Sequence, residues 1–157
     1  MTDPVTILAA AGMLVDGPQE VLDEEIPSFD TFSDPQATTT VARALATDVA
    51  RLEPQVILVW DDPDECVLAH VVALELGIRW ARAYDDSGMV HVVGDLEGSR
   101  AVLLADAFRT GYRLRALAEV VRQRGGHLVG AAALVPSQAL AEAAQVLGVP
   151  SITIEGR

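Results

Sequence analysis

The stretch Ala101-Val102-Leu103-Leu104-Ala105-Asp106-Ala107-Phe108-Arg109-Thr110-Gly111-Tyr112-Arg113 decides how this chain is read. Five apolar residues without alternation predict a strand, 101–105, buried on both faces, which is the habit of a parallel sheet. Beyond the loop, Arg113 to Arg124 predicts a helix closed by Gly125-Gly126. Strand, loop and helix in this order form half of a βαβ unit, and in such sheets ligands gather where strands end and helices begin.

The same alternation runs outward in both directions. Asp34-Pro35 opens a helix whose Val41, Leu45, Val49 and Leu52 share one face, and Pro54 ends it. Gln55 to Trp60 predicts a second buried strand, followed by the loop Asp61 to Glu65 and a helix stopped by Gly77. Ile78 to Tyr84 and Met89 to Val93 read as strands joined by the turn Asp85-Asp86-Ser87-Gly88. A strand at Leu128 to Val135, a helix at Gln138 to Leu147 and a strand at Ser151 to Ile154 complete the pattern. The expected fold is α/β, a mainly parallel sheet with helices on both faces plus a small N-terminal cover. One domain is expected over 1–157, with a helix at Pro4 to Met13 and an acidic cover segment in 1–34, and the α/β core in 35–157. The cover is expected to lie over the carboxyl edge of the sheet, and its residues 15–34 hold seven acids and no base.

Composition narrows the function. Twenty-three acids against 11 bases leave a net charge of −12, which argues against nucleic acid, where phosphate contacts dominate affinity. The apolar runs are too short for a membrane-spanning helix. No basic residue precedes the first apolar patch, so a cytoplasmic location is expected. All 11 bases are arginine, so chemistry that needs a lysine is excluded. The single cysteine, Cys66, reads as an inert, buried thiol. The terminal Ile-Glu-Gly-Arg matches a protease site used in protein expression, and no function is placed there.

Residues 101–117 resemble the signature of the type I phosphoribosyltransferases: an apolar strand, two adjacent acids, a few variable residues, then Thr-Gly-Gly-Thr opening a helix. Asp106 matches the second acid, Thr110-Gly111 the Thr-Gly turn, and Leu114 to Leu117 the helix. The orotate branch is the most similar, through Leu8 to Leu14, Ser33-Asp34-Pro35 and Gly125 to Gly130. The resemblance implies that the acid holds ribose hydroxyls and the turn cradles a 5-phosphate. It also implies a homodimer, and magnesium if the chain is active. The departures are as informative. Ala105 replaces the first acid, and Tyr112 and Arg113 replace the last Gly-Thr of the turn. Where the family has a small, glycine-rich pyrophosphate loop, this chain has Asp61-Asp62-Pro63-Asp64-Glu65, four carboxylates that repel pyrophosphate unless a metal lies between. The segment from Tyr84 to Arg100, where the orotate branch has a long catalytic loop, keeps only His91 and has no lysine.

Asp106, Arg109, Thr110, Gly111, Tyr112 and Arg113 are therefore the expected ligand-binding residues. Asp106 either meets a ribose hydroxyl or caps the amides of its own loop. Arg109 and Arg113, cations at a helix start, either await an anion or pair with the acids of 15–34. Asp61 and Asp62 are weak candidates for magnesium, their alternative being helix capping. Trp60, Trp80 and Tyr112 could border one crevice, with core packing the alternative for Trp80. Arg115 reads as solvent-facing and spaced to pair with Glu119, and His70 and His127 as structural. Arg82 or Arg100 could stand in for the absent lysine. The expected function is a binding or regulatory module for a phosphorylated small molecule with little or no transferase activity. The alternatives are a working transferase acting from phosphoribosyl pyrophosphate, and a structural partner subunit.

Overall fold

The computed structural model describes residues 8–10, 12–15, 28–31 and 33–154. Six strands form the main sheet: β3 (Val56–Trp60), β4 (Arg79–Asp86), β5 (Met89–Val93), β6 (Arg100–Ala105), β7 (His127–Ala133) and β8 (Ser151–Thr153). Their spatial order is β5-β4-β3-β6-β7-β8, parallel throughout except for the antiparallel β4–β5 hairpin. β6 therefore lies inside the sheet, as its unbroken apolar run requires. A second, two-stranded sheet pairs β1 (Leu14–Val15) with β2 (Ser28–Phe29).

Four helices cover the sheet: α1 (Pro35–Val49), α2 (Pro63–Leu76), α3 (Gly111–Gln123) and α4 (Gln138–Leu147). Because successive strand residues point to opposite faces, β3 sends Ile57 and Val59 to a core shared with α1 and α2, and Val56 and Leu58 to one shared with α3 and α4. At roughly 25 cal/mol per Å² of apolar surface removed from water, these two cores are the main stabilising term. The helix ends follow the expected local chemistry. Asp34 accepts hydrogen bonds from the amides of Gln36 and Ala37, both at 3.0 Å, and Pro35 occupies the first turn. Gly77 and Gly148 end α2 and α4 in the left-handed conformation.

Two local irregularities have clear causes. The hairpin turns through Ser87 and Gly88, both at positive φ (56° and 83°), the geometry that follows the twist of the flanking strands. Between β6 and β7 the register slips by one residue, Ala101 facing Leu128 but Val102 facing Gly130. There a Cβ on Gly130 would stand 2.4 Å from Leu52 Cδ1 and 3.2 Å from the Pro150 carbonyl oxygen, so a side chain would have to displace the Leu52 tip and crowd the Pro150 backbone.

Of the N-terminal cover, residues 8–10 are helical, while most of the expected helix and of the acidic stretch, 1–7, 11, 16–27 and 32, lies outside the described residues. Leu8, Met13 and Phe29 are buried against the α1–α2 core. Thr31 is tied to the carboxyl end of the sheet, where its amide and hydroxyl donate to Asp64 Oδ1 at 2.9 and 2.8 Å. No helix among the described residues is long and apolar enough to cross a membrane.

Candidate ligand-binding site

Strand order places the site. After β3 the chain moves to β4 on one side, and after β6 it moves to β7 on the other, so the carboxyl ends of β3 and β6 flank a topological switch point. The helices that follow diverge, α2 to one face and α3 to the other. A cavity of about 280 Å³ opens between the two loops. Trp60 and Glu65 wall it on the β3 side, and Phe108, Arg109, Thr110 and Arg113 on the β6 side.

The β6 loop is held by its own groups. Asp106 is 7% exposed, and its Oδ1 accepts from the Ala107 amide at 2.6 Å and from Arg109 Nη1 at 3.1 Å. Burial raises its carboxyl above the usual aspartate value, and the Arg109 guanidinium pulls the other way. The Ser137 hydroxyl donates to the Phe108 carbonyl at 2.7 Å while accepting from Leu140 at the start of α4, which pins the middle of the loop to the next helix. Thr110 takes the N-cap position of α3 with extended backbone, and no side chain caps that helix; its first turn holds no acid. Such a terminus presents donor amides and the positive end of the helix dipole.

Across the cavity, Asp62 caps α2 by accepting from the Asp64 amide at 3.1 Å, and Asp61 meets Arg82 at 3.4 Å. Glu65, in the first turn of α2, is only 4% exposed. Burial pushes its carboxyl up to about 8, Asp106 and Asp62 add to the rise, and Arg113 and Arg109 oppose it. Sequence reading grouped Glu65 with its acidic neighbours and missed this; its position one turn after a capping Asp-Pro pair, facing inward on α2, was the available signal.

Of the expected ligand residues, the structure brings Arg109, Thr110 and Arg113 to the cavity wall. Asp106 lies beneath them, engaged with its own loop, and Tyr112 is 60% exposed. The Arg113 guanidinium lies over the Trp60 ring, 5.6 Å from its centroid, a cation–π contact that crosses from one loop to the other. Trp80 does not join this crevice. It packs on the α1–α2 core with His70 edge-on at 6.5 Å, because the pleat turns it to the opposite face from Trp60. Glu119 pairs with Arg122 and not with Arg115. Arg115 instead folds back to the helix start, where a Cβ on Gly111 would stand 2.5 Å from its Nη1. Arg100 is held by the carbonyls of Leu52 and Glu53 at the amino end of β6, so of the two arginines considered as lysine substitutes only Arg82 lies near the site. Among the described residues, no three His, Cys, Asp or Glu side chains gather as a metal site. Burial and the neighbouring Asp61 push the Cys66 thiol up to about 11, which keeps it unreactive.

Solved structures with the same architecture are phosphoribosyltransferases. A Corynebacterium diphtheriae phosphoribosyltransferase superposes with a TM-score of 0.77 at 16% identity, over 98% of this chain and 95% of that one. The orotate phosphoribosyltransferase of Mycobacterium tuberculosis, solved with inorganic phosphate, gives 0.72 at 16% identity over 97% and 94%. An adenine phosphoribosyltransferase from Thermoanaerobacter pseudethanolicus gives 0.74 at 17% identity over 94% and 98%. The fold is that of the phosphoribosyltransferases. Both orotate and adenine enzymes stand among these neighbours at similar scores, so the likeness belongs to the wider fold and not to one branch. No protein-family model and no curated protein matches the sequence.

Proposed function

We propose that this phosphoribosyltransferase-fold chain binds a phosphorylated small molecule, of nucleotide or phosphoribosyl type, at the turn from Arg109 to Arg113. In this reading it has little or no transferase activity and serves a regulatory or accessory role. The observation that carries the reading is the asymmetry of the cavity: an uncapped helix start with arginines on one wall, a buried carboxyl on the other. A phosphate suits the first wall, since backbone amides at a helix start favour an anion. The second wall suits pyrophosphate poorly.

Transferase chemistry depends on stabilising the departing pyrophosphate, and loss of one preorganised donor in a site of that kind costs on the order of 100-fold or more. Here Glu65 faces the cavity, Ala105 replaces an acid, no lysine exists in the chain, and a tight hairpin joins β4 to β5. The test combines two measurements. With magnesium, phosphoribosyl pyrophosphate and a panel of pyrimidine and purine bases, no turnover above background is expected. Phosphate or a nucleoside monophosphate should raise the melting temperature in a concentration-dependent way. Turnover in the common range of about 1 to 1000 per second, abolished by Asp106→Ala, would establish a working enzyme instead.

A further inference from the structure

Glu65 is the group this reading leaves without a task. Its side chain is 4% exposed yet lines the cavity. Among the described residues no group hydrogen-bonds its carboxyl, and none has a fully buried polar side-chain atom without a partner. Its unpartnered oxygens therefore open into the cavity. Carboxyl groups withdrawn from water are retained where a cation or strong donor completes them.

The charges around it show what kind of donor fits. Arg109, after β6, is paired with Asp106 at 3.1 Å. Arg113, on α3, lies on the ring of Trp60, and Asp62 is committed to capping α2. An anion alone satisfies the α3 start and Arg113 but leaves the buried Glu65 carboxyl without a cation, held neutral by its proton. A cation alone satisfies Glu65 but meets Arg113 and the helix dipole.

We propose that the cavity takes a small zwitterion, a phosphate monoester bearing a strongly basic nitrogen, with the phosphate on the Arg109–Arg113 turn and the ammonium or amidinium against Glu65. The proposal rests on the phosphate reading above and names its ligand class. Because Glu65 keeps its proton up to about pH 8 in the free protein, seating a cation there expels that proton. The proton passes to solvent, and the ligand nitrogen, already protonated, donates to the carboxylate.

The experiment is calorimetric titration of the full chain with aminoalkyl monophosphates of roughly two to five carbons, each beside the alkyl monophosphate of equal length. The best amine should bind about tenfold tighter than its plain counterpart. Glu65→Gln should bring the two to parity. In the unmodified protein near pH 7, buffers of differing ionisation heat should report release of about one proton with the amine and none with the plain phosphate. If plain phosphates bind and the amine adds neither affinity nor proton release, the inference fails while the phosphate site stands. If nothing binds, the phosphate reading falls and the inference with it. An amine advantage that survives Glu65→Gln seats the nitrogen elsewhere and overturns the proposal; should that variant not fold, the proton count decides alone.

Discussion

The loops after β3 and β6 are neighbours built to one plan, strand to turn to helix, yet they treat their helix starts in opposite ways. After β3, Asp62 caps α2, Asp64 and Glu65 fill its first turn, and Arg82 meets Asp61. The positive end of that dipole is answered from within. After β6, Thr110 offers no side-chain cap, no acid follows, and Arg109 and Arg113 add positive charge. The pair shows that an acidic residue means different things by position: Asp62 is structural because it reaches an amide, whereas Glu65, three residues later, turns inward and is withdrawn from water.

The largest effect should come from Glu65. Its carboxyl holds a proton to about pH 8 in the folded protein and to about 4.5 ordinarily. Between those values the folded state binds the extra proton, so stability falls as pH rises, by about 1.4 kcal/mol per pH unit. The contribution is whole below pH 4.5 and lost by about pH 8, on the order of 5 kcal/mol in all. Glu65→Gln removes this share of the slope. Urea unfolding across this range should show the variant gaining on the parent steadily and then levelling, and parallel profiles would refute the burial argument.

A smaller loss is expected for Asp62→Ala, which strips the cap from α2 and should cost about 1 kcal/mol in the same measurement. An unchanged midpoint would mean that the cap is replaced by water. The smallest change in stability is the most informative. Thr110→Asp would give α3 the acidic cap that α2 already has, adding a few tenths to about 1 kcal/mol. It should also abolish phosphate binding at the turn. A variant that still binds phosphate as the parent does would place the anion elsewhere.

Much of this was legible along the chain. Asp34-Pro35 and Asp62-Pro63 announced their helices, and Gly77 and Gly148 their ends, because caps act through neighbours a few residues apart. The unbroken apolar run of β6 announced an interior strand. Arg115 is exposed, as its place on the helix predicts, but spacing permits several partners: Glu119 is reachable from both Arg115 and Arg122, and geometry chose the latter. Trp60 ends its strand whereas Trp80 lies within one, which already suits Trp80 to core packing, and the pleat separates the two rings to opposite faces.

Local chemistry, then, determined the elements of the α/β core and the position of the turn from Arg109 to Arg113, since hydrophobic period and capping are short-range properties of the chain; the pairing of Leu14–Val15 with Ser28–Phe29, in a stretch that reads as irregular, was not among them. Only tertiary structure decided that the loops after β3 and β6 face one another across a cavity. Strand order is set by packing between distant segments, and no residue of either loop encodes its neighbour. The burial of Glu65 and the cation–π contact of Arg113 with Trp60 follow from that pairing, because each depends on the solvent and charge that a distant part of the chain supplies or removes.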